Sequence, residues 1–278
     1  MAAKVLSVSD LLKNLKKVSF SELKRQQSGF VSWVNIKDNG RLKRIYVKTP
    51  KMFAPFGATN YNPNNVPAMN NKFAVALSFK GEEENSEIAE LKTLFEKLDK
   101  LVVDEVMERK GILLDTKRAW SKLINKKKVS REVIDSAYTH LLKQKDDDEN
   151  KFPALFNLKA QVNWKDGEPY VGTKVYNTNK EVLEINFENY GEVLPKLTDM
   201  KCVFQVASVW FINKKFGLTL KLVQAKVFPS NMGQLPDFAL DDDEAEEEVS
   251  KVVKKTEELC LVDDEEESED EESESDEE

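Results

Sequence analysis

The chain has 278 residues, 40% of them hydrophobic, and a formal net charge of −8 from 42 basic and 50 acidic side chains. That length builds one large domain or two small ones with a real core. The longest apolar run, Cys202 to Ile212, is interrupted by Gln205 and Ser208 and too short to cross a bilayer, and the N-terminus lacks the apolar stretch of a secretory signal.

Two cysteines, Cys202 and Cys260, suit a reducing compartment better than a disulfide scaffold. The expectation is a soluble intracellular protein that engages no membrane.

The charge is unevenly divided. Residues 237–278 hold 23 acidic side chains against Lys251, Lys254 and Lys255, a net of −20, which leaves 39 basic and 27 acidic residues in 1–236, a net of +12. A basic body joined to an acidic appendage points toward polyanion binding. The appendage has too little apolar surface to offset its ordering entropy and reads as a disordered tail.

In chain order, Val8, Leu11, Leu12 and Leu15 recur at helical spacing with lysines between them, predicting a short helix packed on the body. The stretch GFVSWVNIKDNGRLKRIYVKTP, 29–50, holds two alternating runs around Asn39-Gly40, a strong hairpin signal. Counting outward from a two-residue turn predicts Asp38 opposite Arg41, Asn35 opposite Arg44, Val34 opposite Ile45, Trp33 opposite Tyr46 and Val31 opposite Lys48. One face then gathers Phe30, Ser32, Val34, Ile36, Ile45 and Val47 as core. The other gathers Val31, Trp33, Asn35, Arg44, Tyr46 and Lys48, aromatic and basic together.

Residues 48–71 hold four prolines and six asparagines and read as a long loop carrying Lys51, Phe53, Pro55, Phe56 and Tyr61. A strand over 72–79 follows. Then Ile88, Leu91, Leu94, Phe95, Leu98, Leu101, Val102 and Val106 form the apolar stripe of a helix closed by Gly111. Helical pieces are expected over 116–124 and 130–142, and an exposed connection over 143–151.

Strand character returns at Phe152, with a turn at Lys165-Asp166-Gly167. It ends in a pair, 201–213 and 217–228, joined by Lys214-Lys215-Phe216-Gly217. In the last strand the alternation slips at Leu222-Val223, as a β-bulge requires. The predicted architecture is mainly β with a helical insertion at about 86–145, an OB-fold-like barrel spanning 1–236 followed by the tail at 237–278. The helix is expected between the third and later strands.

Chemistry of the catalytic kind has no support in this pattern. The lone histidine, His140, falls on a predicted helix without partners, and no phosphate-cradling glycine loop, nucleophile elbow or zinc-ligand pair occurs. Asp146-Asp147-Asp148-Glu149 lacks the alternating ligands of a calcium loop and reads as a solvated linker. No enzyme, metal or cofactor is expected.

Unselective grip on single-stranded nucleic acid needs cations for phosphates and flat rings for bases. The residues that match are Trp33, Arg44, Tyr46, Lys48, Lys51, Phe53, Phe56, Lys214, Lys215 and Phe216, with Trp210 expected in the core. The bland alternative buries the hairpin's aromatic face beneath the helical insertion. The tail imitates a phosphodiester chain in charge and flexibility, so it should compete for a basic groove at high effective concentration. Ser268, Ser273 and Ser275 within it suit an acidophilic kinase. A histone or basic-protein chaperone, or a single-stranded RNA-binding protein, are the competing readings. The body's positive charge argues against the chaperone.

The segments IYVKTPKMFAPFG (45–57) and VWFINKKFGLTLKLVQAKVF (209–228), with the acidic terminus, resemble the single-stranded DNA-binding proteins of nucleocytoplasmic large DNA viruses. That family is similar to the podophage-type OB-fold proteins. The resemblance implies an OB fold, cooperative coating of single-stranded DNA during replication, and no catalysis or metal. It also implies self-association on DNA, and a tail that shields the groove and contacts a polymerase, helicase or primase. It further implies a host nucleus or cytoplasmic virus factory as the site of action. Phage relatives end in an aromatic residue, whereas this chain ends Glu277-Glu278.

Overall fold

The computed structural model describes residues 4–26, 29–60, 73–108, 130–144, 152–212 and 215–228. The chain divides into a unit Met1–Ser230 and a unit Asn231–Glu278, and every described residue belongs to the first. The acidic tail, the expected helix over 116–124, Gly111, Tyr61 and Lys214 lie outside the described residues.

The described chain opens with β1 (Val5–Leu6) and α1 (Val8–Asn14). The Asp10 amide donates to Ser7 Oγ at 3.1 Å while the Ser7 amide donates to the Asp10 carboxylate at 3.3 Å. This reciprocal box satisfies two donors that a helix start leaves open. Val8 and Leu11 of the predicted stripe are buried, and Leu12 and Leu15 pack half-buried against the core.

Strands β2 (Val18–Phe20), β3 (Lys24–Gln26), β4 (Gly29–Asp38), β5 (Arg41–Lys43), β6 (Ile45–Ala54), β7 (Ala58–Asn60) and β8 (Phe73–Ser78) precede the long helix α2 (Ser86–Glu108). Helix α3 (Arg131–Ala137) and β9 (Tyr138–Thr139) follow. Then come β10 (Leu155–Ala160), β11 (Val162–Lys165), β12 (Glu168–Val171), β13 (Lys174–Tyr176), β14 (Val182–Leu183) and a single helical turn, α4 (Tyr190–Val193). Strands β15 (Thr198–Ile212) and β16 (Lys215–Phe228) complete the body.

The predicted turn forms, but the predicted hairpin does not continue. Asn39 and Gly40 take φ of 49° and 75°, and Asp38 pairs with Arg41. The ladder then stops at Ile36 opposite Lys43. Beyond Arg44 the strands part, and β15 enters between them. Its first half pairs with β6, setting Tyr46 opposite Gln205 and Lys48 opposite Val203. Its second half pairs with β4, setting Trp33 opposite Ser208 and Val31 opposite Trp210.

The expected pairs of Asn35 with Arg44, Val34 with Ile45, Trp33 with Tyr46 and Val31 with Lys48 are therefore corrected. One fifteen-residue strand satisfies the backbone groups of both edges and buries an apolar face against each, which hairpin extension alone would not do. The alternation itself survives. Val34, Ile45 and Val47 are buried, and Trp33, Arg44 and Lys48 are exposed. Val31, expected on the polar face, is buried.

Five strands close a barrel. Strand β6 pairs with β8, β8 with β10, β10 with β16, β16 with β15, and β15 with β6. In chain order these are first, second, third, fifth and fourth around the ring, with a single parallel pair, β10 and β16. This is the closed, mainly antiparallel arrangement of an OB-type barrel. Closure removes the sheet edges that would otherwise invite aggregation. Counted with β4, helix α2 follows the third long strand, as expected; within the barrel proper it follows the second.

Helix α2 lays Ile88, Leu91, Leu94, Phe95, Leu98, Val102, Val103 and Val106 into the core, whereas Leu101 is only half-buried. The Phe95 ring meets Phe79, Phe156 and Phe204 at centroid distances of 6.1, 4.7 and 5.8 Å. Phe156 and Phe204 are inward residues of β10 and β15, so α2 packs against the barrel interior and leaves the aromatic and basic face clear.

The same helix buries Asp99, which accepts hydrogen bonds from Tyr138 Oη at 2.7 Å and the Leu141 amide at 3.1 Å. His140 Nδ1 lies 3.3 Å from the oxygen that the Leu141 amide reaches. His140 thus follows β9 instead of sitting on a helix, and it completes a clasp between α2 and the β9 segment. Burial pushes the Asp99 carboxyl up, against the opposing pull of the Tyr138 and Leu141 hydrogen bonds.

Candidate nucleic-acid interface

Three neighbouring strands, β6, β15 and β16, form one wall of the barrel. Alternation turns Ile45, Val47, Met52, Met200, Cys202, Phe204, Leu220 and Leu222 inward, all nearly inaccessible. Three bulges decide what faces outward; one, at Ala207 on β15, sets Ser208 on the same face as Gln205. Pro50 has no N–H for the ladder, and between Lys201 and Val203 the register skips there, with the Cys202 amide donating to Thr49 Oγ1 at 2.9 Å instead. On β16 the register skips at Val223, where the alternation slips in the sequence. The bulge brings Thr219, Lys221, Gln224 and Lys226 onto one face, as the slip predicts.

The outward residues then align in cross-strand rows. Trp33, Ser208 and Thr219 form one; Tyr46, Gln205 and Lys221 the next; then Lys48, Val203 and Gln224. Lys51, Lys201 and Lys226 stand abreast, followed by Phe53, Asp199 and Phe228. Beyond β16 the rows extend through Lys159, Lys174 and Tyr176, which pair with Lys221, Gln224 and Lys226. From Ser208 to Asp199 the wall runs ten residues of β15, nine steps or about 30 Å at the usual strand rise.

Three lysines abreast on adjacent strands repel one another, which destabilises a sheet. The compensation is partial. Lys51 Nζ lies 2.9 Å from the Asp199 carboxylate, and Lys51 and Lys226 both sit over the Phe228 ring, at 5.0 and 5.4 Å from its centroid. Lys201, in the middle of the row, is exposed. An anionic ligand would relieve this repulsion.

At the opposite end Trp210 turns outward and lies over Gly217, where an added Cβ would meet its Cζ2 at 2.9 Å. It is half-buried instead of sealed in the core, and by register it is the diagonal neighbour of Trp33 on the same face.

The residues singled out from sequence separate into four groups. Trp33, Tyr46, Lys48, Lys51 and Phe53 share the wall; Trp33 is 39% exposed and Lys48 and Lys51 are exposed, so the buried alternative fails for them. Arg44 instead lines an adjoining groove of about 530 Å³ with Lys4, Lys17, Lys37 and Lys43, a groove that Tyr46 also lines. Phe56, 58% exposed, lines a second groove with Phe53, Lys80, Lys143 and Phe152.

Phe216 is corrected: it is fully buried, stacked on Phe211 at 5.5 Å and tilted against Tyr138 at 5.1 Å. Lys215 is exposed beside it, and one step of alternation sends the next side chain inward. Lys201, Lys221, Lys226, Tyr176 and Phe228 were missed by the sequence reading. The bulge signal at Leu222-Val223 held the clue for β16, but the partner strands are settled only by the fold.

Among the described residues no three His, Cys, Asp or Glu side chains gather as a metal site. No helix there is long and apolar enough to cross a membrane.

The chain is similar in structure to the single-stranded DNA-binding protein from bacteriophage Enc34, at 13% identity and a TM-score of 0.36 over 78% of this chain and 96% of that one. The same phage protein in complex with single-stranded DNA matches at 11% identity and a TM-score of 0.37, over 77% and 97%. Gp2.5, a single-stranded DNA-binding protein encoded by bacteriophage T7, matches at 11% identity and a TM-score of 0.33, over 69% and 98%. These are phage proteins and do not extend to the nucleocytoplasmic large DNA viruses. No family model and no curated protein matches the chain.

Proposed function

We propose that this chain is a non-catalytic single-stranded DNA-binding protein that coats exposed strands during DNA replication. The observation that carries the reading is the outward wall of β6, β15 and β16. There Lys51, Lys201 and Lys226 stand abreast between Trp33 and Tyr46 on one side and Phe53 and Phe228 on the other.

Phosphates would settle on the lysines, replacing their mutual repulsion with attraction and releasing counterions. Unstacked bases would lie on the rings at either end, whatever their sequence, because every base has a π-face. A duplex hides those faces, so the aromatic half of the wall has a use only for single strands.

The charge division supports the rest of the reading. A tail of net −20 on a body of net +12 competes with DNA for the wall, and when displaced it recruits basic surfaces of a polymerase, helicase or primase. Strand coating of this kind also serves repair and recombination, and neighbouring copies would associate along the strand.

Titrating intrinsic tryptophan fluorescence with oligothymidine, oligouridine and a duplex tests the reading. Strong quenching by oligothymidine with little response to duplex is the expected result. Preference for oligouridine would point to RNA, and saturation by duplex at equal affinity would overturn the single-strand assignment.

A further inference from the structure

Strands β11 and β12 form a two-stranded sheet of their own, outside the barrel ladder. The hairpin leaves the wall at a defined place. Strand β10 runs beside β16 as far as Ala160 opposite Leu222, and β13 resumes beside the same edge at Lys174 opposite Gln224. Between them lies the bulge at Val223, and from this gap the chain departs as residues 162–171 and returns.

Polar bonds pin the base of the hairpin. The Gly172 amide donates to the Gln161 carbonyl at 2.7 Å, and the Gln161 amide donates to Thr173 Oγ1 at 3.0 Å. That hydroxyl, buried, in turn donates to the Leu222 carbonyl at 2.7 Å. A Cβ at Gly172 would lie 2.3 Å from the Asn163 side-chain amide, which packs directly over the glycine. At the far end Asp166 and Gly167, at φ of 53° and 87°, make the tight turn that sends the chain back.

The base therefore stands beside Lys159, Lys221 and Lys174, the edge where the lysine rows end. Near the tip Trp164 is 69% exposed, more than any other large apolar side chain among the described residues, and Lys165 is exposed beside it. A two-stranded hairpin in water gains little from burial. Here the buried Thr173 bond to Leu222 ties its base to the wall, while its largest ring is left to solvent.

We infer that Trp164 is a further base-stacking residue, and that the β11–β12 hairpin is a finger against which a single strand packs as it leaves the lysine rows across β16. This deepens the proposed function and rests on it. The ligand is the strand already assigned to the wall: phosphates on Lys159, Lys221 and Lys174, and the next base on the indole.

The test measures binding of end-labelled oligothymidine by full-length wild type, Trp164→Ala, Trp164→Phe and Trp33→Ala, using fluorescence anisotropy. Trp164→Ala should weaken binding about five- to hundred-fold, the range of one lost stacking contact. Trp164→Phe should stay within a few-fold of wild type, and thermal unfolding of both Trp164 variants should match wild type.

Equal affinity of Trp164→Ala and wild type, with Trp33→Ala weakened, would overturn the finger and leave the wall standing. Failure of wild type itself to bind would overturn both. A second measurement needs no substitution: photo-crosslinking 5-iodouracil-containing oligothymidine to the wild-type chain should label the peptide containing Trp164. A label confined to peptides of β4, β6 and β15 would rule the finger out.

Discussion

Trp33 and Phe216 were equal candidates as aromatic residues beside lysines, yet they face opposite ways. Replacing Trp33 by alanine should weaken single-strand binding by about 1–3 kcal/mol and cost less stability than a core truncation, because the ring is 39% exposed. Phe216→Ala should do the reverse, lowering unfolding stability by about 3–5 kcal/mol through an unfilled cavity beside Phe211 and Tyr138. Denaturant titration with binding on the same variants separates the two.

Lys201→Gln should flatten the salt dependence, reducing the log–log slope by about 0.7, the share of one phosphate neutralised on a single strand. Cys202 is chemically quiet for a related reason: complete burial pushes its thiol up to about 12. In the native protein it should resist alkylation at pH 8 and become labelled only on unfolding, which mass spectrometry of the tryptic peptide reports.

Among elements, helix α2 depends on what it buries. Asp99 sits in its apolar stripe, and its carboxyl is raised by desolvation above the value it has in the unfolded chain. The folded protein therefore binds a proton there at a pH where the unfolded chain does not. By linkage, Asp99 alone makes stability rise as pH falls from the folded value toward the unfolded one near 3.8. Asp10 and Asp38 act in the opposite sense. Hydrogen bonds from Ser7 and Lys43 hold them low, so their contribution is present above 3.8 and is lost as pH falls through their folded values. Asp99→Asn should remove the first effect and steepen the loss of stability in acid, measured as the urea midpoint between pH 7 and pH 4.

The strand elements carry a parallel lesson. Asn39-Gly40 turned as expected because a two-residue turn is a local matter. The pairing beyond it was decided by β15, more than 150 residues downstream in the chain.

For the molecule as a whole, opposed charge is the main feature. Removing residues 237–278 changes the formal net charge from −8 to +12. The truncated chain should bind oligothymidine more tightly than the full chain at low salt, with the gap closing as the Debye length shortens. Equal affinities across the salt range would remove the competition from the proposal while leaving the wall untouched.

What the sequence determined by itself was whatever depends on near neighbours. The first short helix, the α2 stripe, the Asn-Gly turn, the bulge at Leu222-Val223 and the division of charge all follow from spacing or composition. From these the mainly β barrel with inserted helix was legible, and so was a cationic, aromatic character for the site. Tertiary structure alone decided which strands stand side by side. Pairing partners are set by competition among all exposed strand edges for backbone hydrogen bonds and apolar cover, and that competition is global. Only when β15 had taken its place between β4 and β6 did Lys201 join Lys51 and Lys226, Trp210 join Trp33, and Phe216 go inside.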